Sequence, residues 1–383
     1  MKTIIIGGGP VGLATALALK QRGATNDITV VEATPLGAEK FSDRNIALSA
    51  ASWRFLSRVG VDVARDQRAS IETVEISQRG AFGLLSLNAS DVGTNELGAA
   101  TPYPALKNAL SGAVAKTAIA VHHGATVTAI EPVAQHALVH LASGEQLRGD
   151  CIALADGAGS DTNLVPAFKR TERNSGQTGI ITRVQPTRPR PGVAFERFTP
   201  GGALALIPRA DGQWTVIWAR PNASGEHMLA IDDESFSREL NAAFGSSMGA
   251  LNLTAKRTSY PLSWRFVEPR VAGCIAALGN AAQGLHPVAA QGLNLGLRDA
   301  DSFAIHLAHA NARGSTQSVS AALAAFARGR AVDRVTSIGF TGVLTYAFDR
   351  GGWLADVPRG LGLTALQLFP PLKRELIARL ALA

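Results

Sequence analysis

Residues 3–12 read TIIIGGGPVG, and this stretch decides the fold. Three isoleucines make a short apolar, β-branched run suited to a buried parallel strand, and Gly7, Gly9 and Gly12 then fall at the G-x-G-x-x-G spacing. Gly7 permits the tight turn, Gly9 lets a pyrophosphate approach the backbone, and Gly12 lets the next helix pack closely on the strand. That helix is expected from Val11 to about Lys20, with Pro10 just ahead of it and Ala14, Ala16 and Ala18 keeping it thin. A second apolar strand at 28–31 ends in Glu32, about twenty residues after Gly12, where an acid accepts a hydrogen bond from a ribose hydroxyl. Strand, glycine turn, helix, strand and acid in this order predict a dinucleotide site. The acid disfavours a 2′-phosphate, so the site suits FAD or NAD better than NADP.

Working outward, residues 279–299 read GNAAQGLHPVAAQGLNLGLRD, a turn and a His-Pro pair followed by an apolar helical run through Leu293, Leu295 and Leu297. This suits a backbone passing close to a large flat ligand. The strand expected at 151–154 runs into Ala155, Asp156 and Gly157, either a ligand loop at the carboxyl edge of a parallel sheet or a plain Asp-Gly turn. A helix is expected from residue 42 through Leu56. Arg44 would sit badly at its positive N-terminal end unless it pairs with a bound phosphate or, alternatively, with Asp43.

Composition bounds the remaining possibilities. With 46% hydrophobic and 17% charged residues over 383 positions, the chain is that of a folded globular protein of one large domain or two interleaved ones. The net charge of +7 permits attraction to anions, but the basic residues are scattered, which argues against nucleic acid. Cys151 and Cys274 are too few for a disulfide framework and have no CxxC partner. His122, His123, His136 and His140 lack an accompanying carboxylate or thiol cluster, so no metal site is expected. The three isoleucines break off at the glycines instead of running on as a signal peptide, and no long apolar span follows, which implies a cytoplasmic protein.

The pattern predicts an α/β fold, with a discontinuous Rossmann-like dinucleotide domain, an inserted, mostly antiparallel β-sheet domain and a helical C-terminus. The expected division places 1–70, 101–165 and 260–335 in the first, 71–100 and 166–259 in the second, and 336–383 in the C-terminal region. Phe195 and Trp218 are either pocket lining or plain core. Leu372, Lys373, Arg374, Leu376, Ile377, Arg379 and Leu380 spell a basic amphipathic helix, fit to cap the core, to join two copies or to touch a membrane.

Taken together, these residues resemble the aromatic-ring hydroxylases of the single-component flavin monooxygenase superfamily, and within it the hydroxylases of ubiquinone biosynthesis. The similarity spans nearly the whole chain. Gly7 to Gly12 with Glu32 match the FAD fingerprint, Asp43-Arg44 the arginine near the pyrophosphate, Asp156-Gly157 the DG motif, and His286-Pro287 through Asn294 the flavin-facing loop and helix. Asn280 stands where the family has Asp, and Ala290 where it has Gly. The resemblance implies FAD contacts at Gly7, Gly9, Pro10, Val11, Gly12, Glu32, Arg44, Val127, Asp156, Gly279, Asn280, Pro287, Gly292, Leu293 and Asn294. It assigns Pro287 to the face of the flavin ring, and His286 to proton transfer or to structural hydrogen bonding.

The implied reaction is hydroxylation of a polyprenylated phenol by O2 through a flavin C4a-hydroperoxide, with NAD(P)H as a transient reductant. A flavin-dependent prenyl reductase and a non-catalytic accessory subunit of a quinone-biosynthesis complex are the alternatives. Peripheral contact with the inner face of the membrane, membership of such a complex and a homo-oligomer are the implied associations.

Overall fold

The computed structural model describes residues 1–25, 27–38, 43–157, 164–284, 291–311, 319–331 and 353–382. At its centre is a six-stranded sheet in the order Val271–Ala272, Ile275–Ala277, Cys151–Leu154, Lys2–Ile6, Asp27–Glu32 and Ala120–His123. All its pairings are parallel except that of Val271–Ala272. Ile4 and Ile5 are fully buried because both faces of the sheet are covered, Ile5 lying near Gly12 of the helix that follows and Ile4 against Gly149 of a smaller sheet, which is why its strands read as unbroken apolar runs. Helix Pro10–Gln21 crosses from the first strand to the second and packs against helices Tyr103–Ala115 and Gln291–Asn311. A three-stranded antiparallel sheet, Val127–Val133, His136–Leu141 and Gln146–Gly149, joins the same core.

The second layer is a nine-stranded sheet built around Lys169–Pro186, which pairs with Trp214–Pro221 on one side and Thr258–Glu268 on the other. Beyond them lie Gly202–Pro208 and Val193–Thr199, and the hairpin Thr73–Gln78 and Leu84–Asn88 extends the sheet by a parallel pairing to Val193–Thr199. Helix Asp233–Phe244 closes the sheet's own core of Phe195, Trp214, Trp218, Phe236 and Phe244. Phe195 and Trp218 are thus core residues, held edge-on against Phe244 and Phe236. The expected α/β architecture with an inserted, mostly antiparallel sheet is the one observed.

Three details differ from expectation. Residues 45–49 form a strand, Asn45–Ser49, that pairs antiparallel with Gly98–Pro102, and the helix begins only at Ala50. Ser49 caps that helix by accepting from the Ser52 amide, so Arg44 precedes a strand and the helix-dipole argument does not apply to it. Borders at 100/101 and 259/260 each fall inside one continuous strand, Gly98–Pro102 and Thr258–Glu268. The tail carries a longer helix, Trp353–Leu368, before the expected one at Pro370–Ile377; the longer one packs on strand Leu84–Asn88 and the shorter on the turn Ala89–Val92 that follows it.

Candidate functional site: the glycine turn and the helix that faces it

Gly7 adopts φ +107°, and a Cβ there would lie 2.5 Å from the Ala155 carbonyl oxygen and 2.6 Å from Asp156 Cα. The turn thus leaves the first strand directly against the Asp156 loop at the carboxyl end of the neighbouring strand, where α/β sheets bind ligands. At Gly12 a Cβ would come within 1.9 Å of the Gly7 carbonyl oxygen. A Cβ on Gly9 meets nothing within 4 Å, and no side chain caps the helix that starts beside it. Open space in front of an uncapped helix N-terminus fits a pyrophosphate.

Glu32 receives the amides of Gly8 at 2.6 Å and Thr34 at 2.8 Å, one on each carboxylate oxygen. Burial alone would raise its pKa, but those amides and the nearby Lys107 charge outweigh it and hold the carboxyl below the ordinary glutamate value. The Thr34 hydroxyl bonds the carboxylate as well, and the lone pair that remains is the one a ribose hydroxyl would use. Lys107, buried, donates to the Gly8 carbonyl at 2.6 Å and braces the turn from beneath. Its position on helix Tyr103–Ala115 gave no signal in the sequence.

The opposite wall comes from the 279–299 stretch. Gly279 and Gly296 both press on Val11: a Cβ on either would lie 3.0 and 2.6 Å from Val11 Cγ2. The first helix and helix Gln291–Asn311 therefore cross at close range, bringing the two sequence stretches together. Asp299, fully buried, locks the arrangement. Its Oδ2 accepts from the Gly279 amide at 2.9 Å and from Arg270 at 2.7 Å, and its Oδ1 accepts from Arg330 Nε at 2.7 Å. Exposed Asn280 places its Oδ1 3.8 Å from where a Cβ on Gly292 would sit, so these two residues adjoin.

Asn294 is buried, and its side chain turns toward the sheet that strand Asn45–Ser49 forms with Gly98–Pro102. Its Oδ1 accepts from the Ser49 amide at 2.9 Å and the Ser52 hydroxyl at 2.7 Å, while its Nδ2 donates to the Ala47 carbonyl at 3.2 Å. It pins the start of the helix to that sheet. Leu293 and Val127 are half-buried against the main core. His286, Pro287 and Ala290 lie outside the described residues.

Exposed Arg44 stacks over the Tyr103 ring at 4.9 Å. Asp43 pairs instead with Arg183 and Arg209, each at 3.2 Å. The Arg44 charge also reaches Tyr260, whose phenol burial pushes up to about 12 against that opposing charge. Tyr103 and Tyr260 thus stand where the two layers meet. The sequence reading missed both, because each lies in a segment assigned only as structural. Among the described residues no group of three or more His, Cys, Asp or Glu side chains is arranged to hold a metal.

Comparison with known proteins adds to this geometry. The family described as FAD binding domain matches residues 1–330. Ubiquinone hydroxylase UbiL of Rhodospirillum rubrum is 27% identical over 376 residues, covering 97% of this chain and 87% of its own. The 3-demethoxyubiquinol 3-hydroxylase of Escherichia coli is 28% identical over 385 residues, covering 97% and 96%. Among solved structures, p-nitrophenol 4-monooxygenase PnpA of Pseudomonas putida has the same fold, with a TM-score of 0.78 at 17% identity over 100% of this chain and 99% of its own.

Proposed function

The chain belongs to the family of FAD-binding-domain proteins, and from that premise we propose that it is a FAD-dependent monooxygenase hydroxylating the aromatic ring of a polyprenylated phenol in ubiquinone biosynthesis. The observation that carries this reading is that similarity to two hydroxylases named for ubiquinone compounds extends over 97% of the chain. The family match over residues 1–330 takes in the glycine turn, the 279–299 stretch and the large sheet alike.

Bound FAD, once reduced, supplies the oxygen chemistry that no side chain can. The protein's part is to bind and orient it. The Gly7–Gly12 turn and the start of the first helix would hold the pyrophosphate, with Glu32 on the ribose and Arg44 as countercharge. The amides of Gly292 and Leu293, in the first turn of helix Gln291–Asn311, would face negative charge on the flavin ring. Asn280 would offer an uncharged hydrogen-bonding group beside Gly292. Pro287 is assigned to the ring face and His286 to proton handling, while the large sheet supplies the substrate side.

NAD(P)H is the proposed transient reductant, and the proposed setting is cytoplasmic, at the inner face of a membrane, in a quinone-biosynthesis complex or as a homo-oligomer. Among the described residues no helix is long and apolar enough to cross a membrane.

Two measurements test the reading. The purified protein is expected to be yellow or to take up FAD, and to consume O2 in step with product when given a prenylated phenol and reductant. A strain lacking it is expected to accumulate a quinone precursor short of one ring hydroxyl. Failure to bind FAD on reconstitution, or an unchanged quinone profile in that strain, would overturn it.

A further inference from the structure

We propose that the two C-terminal helices and the hairpin beneath them form a docking face for an anionic lipid bilayer, an assignment that rests on the prenylated substrate class proposed above. Helix Trp353–Leu368 has two apolar sides. On the inner side Leu363 is buried, Gly360 presses on the Phe82 backbone, and Gln367 Oε1 accepts from the Ser86 amide at 2.9 Å. On the other, Val357, Leu361 and Leu368 recur at helical spacing with 45, 57 and 75% of their surface exposed. Phe369 and Leu372 carry the stripe past Pro370 at 61 and 52%. Phe82 and Leu84, from the hairpin, are about half exposed.

Seven of the eight large apolar side chains that stand exposed among the described residues are therefore in this one region, the eighth being Leu36. Scattered exposed leucines need no explanation, but a concentration of this kind on one pair of helices and the hairpin under them marks a surface that is covered in use.

Charge selects the occupant. Arg374 is exposed on the helix that carries Leu372, and Arg79 is exposed at the hairpin turn beside Phe82. Arg379 lies on the same helical tail, paired with Glu375. Lys373 and Asp91 neutralise one another inside the contact with the hairpin. An apolar stripe accompanied by exposed arginines on its own helical tail and at the neighbouring hairpin turn, on a chain of net charge +7, matches an acyl boundary beneath anionic headgroups. A polyprenylated substrate would be met at that boundary.

The test is flotation of the purified full-length protein with phosphatidylcholine vesicles, with and without phosphatidylglycerol. Wild type is expected to float with the anionic vesicles and poorly with the neutral ones. A combined Leu361→Ser, Leu368→Ser, Phe369→Ser, Leu372→Ser variant alters only exposed side chains, so its melting temperature should be kept. Its vesicle affinity should fall by more than about a hundredfold, since each buried apolar side chain is worth on the order of tenfold. Arg374→Glu should lower the anionic preference at least about fivefold.

Wild type that stays with the soluble fraction, or a combined variant that floats equally well, would overturn the proposal. So would concentration-dependent dimers, abolished by the same substitutions, in a protein that ignores vesicles, because the face would then belong to a second copy. These readouts need neither substrate nor turnover, so failure of the hydroxylase reading and failure of this one show up separately.

Discussion

At Gly12 a single methyl group decides whether the turn can form, because a Cβ would sit 1.9 Å from a backbone oxygen that has nowhere to go. Gly12→Ala should therefore weaken FAD binding by about a hundredfold or more while leaving the rest of the fold assembled, read by equilibrium dialysis beside a far-UV spectrum. Glu32 makes a second prediction. Its folded pKa lies below its unfolded one, so its contribution to stability is present above the ordinary glutamate pKa of about 4.3 and is lost as pH falls through the lowered folded value. The difference in urea midpoint between wild type and Glu32→Gln should be full near neutrality and close as the solution is acidified below about pH 4. A gap that stays constant through that range would remove the carboxylate from the argument.

These two residues were legible in the sequence because backbone sterics and a fixed spacing constrain them. Lys107 and Tyr260 were not, since what gives each a role is a partner far along the chain: Gly8 for the first, the Arg44 charge for the second.

At the scale of elements, the crossing of helices Pro10–Gln21 and Gln291–Asn311 depends on two glycines against one valine. Gly296→Ala should destabilise by about 1–3 kcal/mol through overpacking, and Val11→Ala should restore most of that loss in the double variant. Additive losses in a thermal-unfolding cycle would show that the methyl group meets something else. Asp299→Asn strips the countercharge from two buried guanidinium groups and should cost about 3–5 kcal/mol, measured by urea unfolding.

Elements were readable where their pattern is local, as in the apolar runs of the parallel sheet. Strand Asn45–Ser49 was mistaken for a helix because its partner, Gly98–Pro102, lies far along the chain, and helix Asn222–Ala230 was missed because it has scarcely any apolar stripe.

The molecule as a whole is held by separate apolar cores: one around the parallel sheet, one inside the large sheet, a small one of Ile71, Ala100, Ala194 and Ile207, and one between the hairpin and the C-terminal helices. The last contains buried Leu85, Leu87, Leu363 and Ile377, so Ile377→Ala should loosen it by about 2–5 kcal/mol without touching the first. Hydrogen exchange is expected to accelerate together at Leu84–Asn88 and Trp353–Leu368, with the strands Lys2–Ile6 and Asp27–Glu32 unaffected.

The Asp299 lock has one more consequence, for the order of events during synthesis. The glycine turn is made well before its opposite wall and the arginines that fix that wall, which are Arg270, Gly279, Asp299 and Arg330. A nascent chain can shape half of its nucleotide cleft early and must wait until residues 270–330 have been made before the other half closes over it.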